Sequence, residues 1–171
     1  MEKYQFEPYP EKVRQISGLE EFPATGAFIY IFHADKVPPH IGLSVDGLFY
    51  SLKAKGADIG LKTDKINEII HRKKIPALII KLNLQLPAPS EVEKIFLAYG
   101  TFLQNGKTCL NPIDELIFGN VSHRKIGDLL KSLNVKDCIE SIYIVNTGTA
   151  YKGIPDYSAD EIEKRIFELQ C

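Results

Sequence analysis

The run HIGLSVDGLFYSLK, residues 40–53, constrains the fold more than any other stretch of the chain. Two alternating segments meet at Asp46-Gly47, a dipeptide suited to the positive φ values of a two-residue turn, so the run reads as a β-hairpin. With Val45 facing Leu48 across the turn, Ser44 faces Phe49, Gly42 faces Ser51 and His40 faces Lys53. Alternation puts His40, Gly42, Ser44, Phe49, Ser51 and Lys53 on one face, and Ile41, Leu43, Val45, Leu48, Tyr50 and Leu52 on the other. The second face is core. The first carries small residues beside a histidine and leaves room for another element to approach closely.

The hairpin needs partners, and the flanking sequence supplies them. AFIYIFH (27–33) is aromatic and β-branched, too short for a typical helix, and reads as a buried strand; ALIIKLNL (77–84) and ESIYIV (140–145) read as two more. Residues 63–74 place Ile66, Ile69 and Ile70 at helical spacing behind Thr63, a good N-cap, and end in basic residues suited to a helix C-terminus. Ser90 is placed to cap a helix from about Glu91 to Gln104, which Asn105-Gly106 ends. In CLNPIDELIF, Thr108 or Asn111 can cap, Pro112 fits a first turn, and Asp114 and Glu115 suit the positive end of the helix dipole. Residues 122–134 and 158–170 give two more helices, the last opening with the capping box SADE. The order favours an α+β class, with a largely antiparallel sheet, a central hairpin and packed helices.

The whole chain, 1–171, reads as one domain. Residues 1–26, with three prolines and a sparse apolar pattern at Val13, Ile16, Leu19 and Phe22, form a short helix or an irregular strap on its periphery. Net charge is -1, which gives no general attraction to nucleic acid or an anionic membrane. The longest apolar runs are too short to cross a bilayer, and the N-terminus lacks the apolar core of a secretory signal. The chain as given therefore reads as cytoplasmic, or as secreted or periplasmic had a leader been removed.

Three cysteines, Cys109, Cys138 and Cys171, are odd in number, widely spaced and free of any C-x-x-C pair, so a disulfide framework or a zinc site is not expected. Cys109 lies at or just before a helix N-terminus, where free N–H groups favour a thiolate, and a helix packed on the small-residue face would bring it against His40. Ser51, across the hairpin, can accept a hydrogen bond from the imidazole, whereas Lys53 is a donor.

HIGLSVDGLFYS resembles the His-strand, turn, strand segment of NlpC-type papain-like peptidases, and KTCLNPIDELI is compatible with the helix that carries the cysteine of that superfamily. His40 precedes Cys109 here, which resembles the circularly permuted, lecithin-retinol-acyltransferase-like branch with its related bacterial amidase-like proteins. The resemblance covers residues 26–56 and 106–118. It implies a permuted papain-like fold with Cys109 as nucleophile, His40 as general base and Ser51 at the third polar position, where the family more usually has His, Asn, Gln or an acidic residue. The implied activity is hydrolysis or acyl transfer on an amide, ester or thioester, with cell-wall peptide fragments or acylated molecules as small substrates and no cofactor. The alternative, from another class, is a non-catalytic binding domain on the same scaffold.

Other residues have plainer readings. His33 and His40 with Asp35 or Cys109 match no familiar metal-ligand spacing. Cys138 and Cys171 have no evident base. The basic clusters HRKK (71–74) and HRK (123–125) read as solvated partners of helix ends rather than as phosphate contacts, and no Gly-rich phosphate loop is present.

Overall fold

The computed structural model describes residues 3–16, 18, 22, 25–100 and 107–170. Its centre is a seven-stranded sheet whose innermost strand, β3 (Ala27–Phe32), is the expected aromatic and β-branched run. The hairpin forms as read, from β4 (His40–Val45) and β5 (Leu48–Lys53). Asp46 and Gly47 sit at φ 47 and 82, and Val45, Ser44 and Leu43 pair with Leu48, Phe49 and Tyr50. Asp46 also ties the turn to β3: its Oδ1 accepts the Gly26 N–H at 2.9 Å and its own N–H donates to the Gly26 carbonyl at 3.0 Å.

Beyond the hairpin lies a strand absent from the sequence reading, β6 (Gly56–Lys62), paired antiparallel with β5. Its register shifts at Gly60, where φ is 66, so a glycine absorbs the extra residue of a bulge. On the other side of β3 lie β7 (Ala77–Leu82), antiparallel to β3, and β8 (Ile139–Val145), antiparallel to β7. Two short strands of the N-terminal segment, β1 (Tyr4–Phe6) and β2 (Val13–Arg14), flank a single 3-10 turn at Pro10–Lys12. β2 adds to the sheet parallel to β8, and β1 pairs with β9 (Ile154–Pro155) in a separate ribbon. Among its described residues the segment is thus a strap of short strands with no α-helix; residues 1, 2, 17, 19–21, 23 and 24, Leu19 among them, lie outside the described residues.

Among the described residues, one helix covers one face. α1 (Thr63–Lys73) buries Ile66 and Ile70 against Phe28, Tyr30, Phe49 and Ile79. Ser44 and Thr63 share a hydrogen bond at 2.8 Å, and Tyr30 donates to Asn67 at 2.9 Å, so polar groups of the sheet seat the helix. Thr63 is therefore the first residue of the helix and not its cap; that place is taken by Lys62.

The opposite face packs on α2 (Pro89–Ala98), α3 (Asn111–Phe118) and α4 (Ile126–Val135). Ile29, Leu43, Tyr50 and Ile80 meet Val92, Phe96, Ile113 and Leu130 in the larger core cluster. α2 begins at Pro89, with Ala88 as cap in place of Ser90, and ends at Ala98, six residues short of the expected Gln104, with Gly100 in the left-handed conformation at φ 91; residues 101–106 lie outside the described residues. α5 (Ala159–Gln170) closes the chain. Its capping box forms in both directions: the Ser158 N–H donates to Glu161 Oε2 at 2.5 Å, and Ser158 Oγ accepts the Glu161 N–H at 3.2 Å. The protein is an α+β fold with a mostly antiparallel mixed sheet, and no helix among the described residues is long and apolar enough to cross a membrane.

Gly42 is needed for the approach its face permits. A Cβ there would overlap the Phe49 ring from the neighbouring strand and stand 3.2 Å from the Tyr50 carbonyl. Gly42→Ala is expected to destabilise the fold by about 1–3 kcal/mol, read as a lower urea midpoint with an unchanged slope.

Candidate active site

Cys109 lies in a turn two residues ahead of α3. The side chains expected to cap the helix fix this turn instead: Asn111 Oδ1 accepts the Thr108 N–H at 2.8 Å, and Thr108 Oγ1 accepts the Leu110 N–H at 3.3 Å. The cysteine packs against the larger core cluster, the face that carries Ile41. It does not lie on the small-residue face, because α1 and the Phe49 ring occupy that space.

The thiol does not titrate as a helix start alone would suggest. Burial pushes the Cys109 pKa up, and hydrogen bonds from the Ile41 backbone and from its own backbone only partly offset this. Loss of hydration outweighs the local dipole, so the thiol is neutral at neutral pH. The bond to Ile41 also places the sulfur against the residue next to His40.

His40 begins β4, beyond the last residue pair joining β4 to β5. Its ring stacks on Phe32 with centroids 5.8 Å apart, and its Nε2 is enclosed with no hydrogen-bond partner. Burial lowers the His40 pKa from 6.5 to about 4; Asp58 opposes this, while Lys53 and His33 reinforce it. The imidazole is therefore neutral at neutral pH and free to accept a proton.

Between pH 6.5 and 4 the unfolded chain binds a proton at this residue that the folded chain does not. The stability associated with neutral His40 is thus complete above pH 6.5 and drains away as pH falls toward 4. Urea midpoints at pH 7 and pH 5 are expected to differ less in His40→Gln than in the native chain.

Cys109 and His40 line one cavity of about 360 Å³ at the end of the sheet. They reach it from opposite faces, the cysteine from the α3 side and the histidine from the Phe32 side. Leu110, Ile126, Tyr157 and two apolar residues of α5, Ile162 and Ile166, complete its inner wall, with the exposed Leu169 at its edge. Burial pushes the Tyr157 hydroxyl up to about 12, so it stays protonated as a hydrogen-bond donor.

Ser51 does not line this cavity. It is fully buried and donates to Asp58 Oδ2 at 2.8 Å, while Asp58 Oδ1 accepts from Lys53 at 2.9 Å. Asp58 is therefore the acidic group nearest in effect to His40, and the sequence reading missed it together with β6. Its detectable signal was register, since Asp58 stands directly opposite Ser51. Tyr157 was missed for a different reason: nothing local ties it to a turn that lies far away in sequence.

A second polar chain lies elsewhere. Asp114, fully buried, accepts the N–H groups of Ser122 and His123 on Oδ2 at 2.7 and 2.6 Å and meets His123 Nδ1 through Oδ1 at 2.7 Å; His123 Nε2 meets Ser132 Oγ at 2.7 Å. The order matches a Ser-His-Asp relay, but Ser132 lies in the carbonyl-rich last turns of α4, where an oxyanion is disfavoured. These groups act as a latch joining α3 to α4. They also delay the start of α4 to Ile126, four residues after the expected position.

The remaining candidates are accounted for locally. Basic residues 71–73 close α1, where Lys74 adopts the left-handed cap conformation at φ 50. Lys125 pairs with Asp156 at 2.7 Å. The Cys138 thiol donates to the Lys136 carbonyl at 3.5 Å, and Cys171 lies outside the described residues. Among the described residues, no group of three or more His, Cys, Asp and Glu could hold a metal ion. Comparison with protein-family models, with curated proteins and with solved structures gives no match.

Proposed function

We propose that this protein is a cysteine-dependent hydrolase or acyltransferase acting on an amide, ester or thioester, of the permuted papain-like type suggested by the order of His40 and Cys109. The observation that carries this reading is the shared cavity: a thiol and an unpartnered, neutral imidazole line the same largely apolar space.

Both groups rest uncharged, so sulfur attack and proton transfer belong to one step. The Cys109 S–H proton passes to His40 as the S–C bond forms. The tetrahedral oxyanion collapses, the bond to the leaving amine, alcohol or thiol breaks, and His40 returns the proton to that group. Water or another acceptor then attacks the thioester, giving its proton to His40; the C–S bond breaks, the acyl group leaves on the acceptor, and His40 returns the proton to the Cys109 sulfur. Tyr157, together with the Cys109 backbone N–H once it turns from its own sulfur, supplies the donors for the oxyanion.

A short activated ester, p-nitrophenyl butyrate, tests the reading. The expected result is a burst of one equivalent of nitrophenolate with a butyryl adduct on Cys109, absent in His40→Ala. The rate is expected to fall as pH drops toward 4, where His40 takes up a proton. The raised thiol pKa favours a second reading, a binding domain on the same scaffold. An intact chain that binds ligands in the cavity yet never acquires the adduct establishes that alternative.

A further inference from the structure

The cavity has a polarity as well as a volume. Its inner wall is hydrocarbon, while the charged residues that line it are Lys53, Lys55, Arg124 and Arg165, each exposed at its rim, with no aspartate or glutamate among the described lining residues. Four cations around one opening are not explained by overall composition, since the chain carries 21 basic and 22 acidic residues. Two of the four are already engaged: Lys53 pairs with Asp58 at 2.9 Å and Arg165 with Glu168 at 3.5 Å. Among the described residues, Lys55 and Arg124 form no ion pair. A third, independent feature is the enclosed Nε2 of His40, a buried polar atom with no partner on a wall of the same cavity.

We propose that the cavity takes an anionic amphiphile, an unbranched acyl chain that ends in a carboxylate or phosphate group. The chain fills the hydrocarbon interior against Ile162 and Ile166 of α5, the head group meets Lys55 and Arg124 at the rim, and a polar group near the junction satisfies His40. With a scissile ester, amide or thioester at that junction, this names the class of acyl donor for the cysteine site, the free acid being its product, and so rests on the reading above. Binding and turnover remain separable. A peptide substrate would need backbone partners along a groove, which this predominantly apolar wall supplies poorly.

The test uses the full chain with Cys109→Ala, so that nothing is consumed. Calorimetric titration below the micellar range compares dodecanoate, dodecyl phosphate, dodecanol, dodecyltrimethylammonium and acetate. The two anionic twelve-carbon probes are expected to bind at least tenfold more tightly than the alcohol, the cation or acetate, and the tighter of the two identifies the head group. Lys55→Glu with Arg124→Glu is expected to remove that preference while leaving the melting temperature unchanged, since both side chains are exposed; Lys55→Gln alone gives a partial loss. Equal binding of dodecyltrimethylammonium, or binding of acetate as tight as that of dodecanoate, overturns the proposal. If the anionic probes bind but native enzyme forms no acyl adduct, the catalytic reading fails and this one stands. An adduct from short esters without amphiphile binding gives the reverse.

Discussion

Asp114→Ala is expected to lower the unfolding free energy by about 3 kcal/mol, the largest effect of any single substitution considered outside the cavity. The carboxylate is fully buried and takes three hydrogen bonds, two from consecutive backbone N–H groups and one from the His123 ring. Alanine leaves the two backbone donors without their acceptor and His123 Nδ1 with only Ser122 Oγ, at 3.2 Å. Asn retains one acceptor oxygen, so Asp114→Asn is expected to lose roughly half as much. Urea unfolding followed by circular dichroism reads both variants. A loss under about 1 kcal/mol for the alanine variant would show that the loop between α3 and α4 finds other partners, and that the latch is incidental.

Removing the imidazole from the cavity has the largest expected effect on activity. His40→Ala is expected to reduce ester turnover by about 10²–10⁴-fold, the usual contribution of a positioned general base, and Cys109→Ala to abolish the covalent intermediate altogether. The two losses should not add in the double variant, because each residue works only through the other. Asp58→Asn provides a finer measurement. Asp58 is the charge that most favours protonated His40, so its removal is expected to move the acid limb of the rate profile to lower pH. A merely structural role for Asp58 would change the amplitude and leave the position of that limb where it was.

The hairpin was legible because its signal is local: alternation and an Asp-Gly turn specify register without help from distant residues. β6 was hidden for the opposite reason. Gly56, Ala57 and Gly60 give it little strand propensity, and pairing with β5 makes the strand. Helix positions were readable while several caps were not. Thr63 and Asn111 use their side chains on the sheet and on the preceding turn, choices that depend on tertiary neighbours. Asp114 showed the same limit, since a carboxylate in a first turn satisfies the helix dipole whether it faces solvent or the interior. At the site, sequence could nominate Cys109 and His40 by residue type and position. It could not show that burial would leave both uncharged, because loss of hydration is set by residues such as Ile126 and Ile162, which come from other elements.

The β1–β9 ribbon joins the first described strand to the stretch just before Tyr157. Gln5 holds both sides there, donating to the Pro155 carbonyl at 3.0 Å and accepting the Gly127 N–H at 2.8 Å. On a ribosome, therefore, the sulfur and the imidazole emerge long before the α5 wall that encloses them. Until that wall has left the exit tunnel and docked, the cavity shared by the thiol and the imidazole lacks one of its sides.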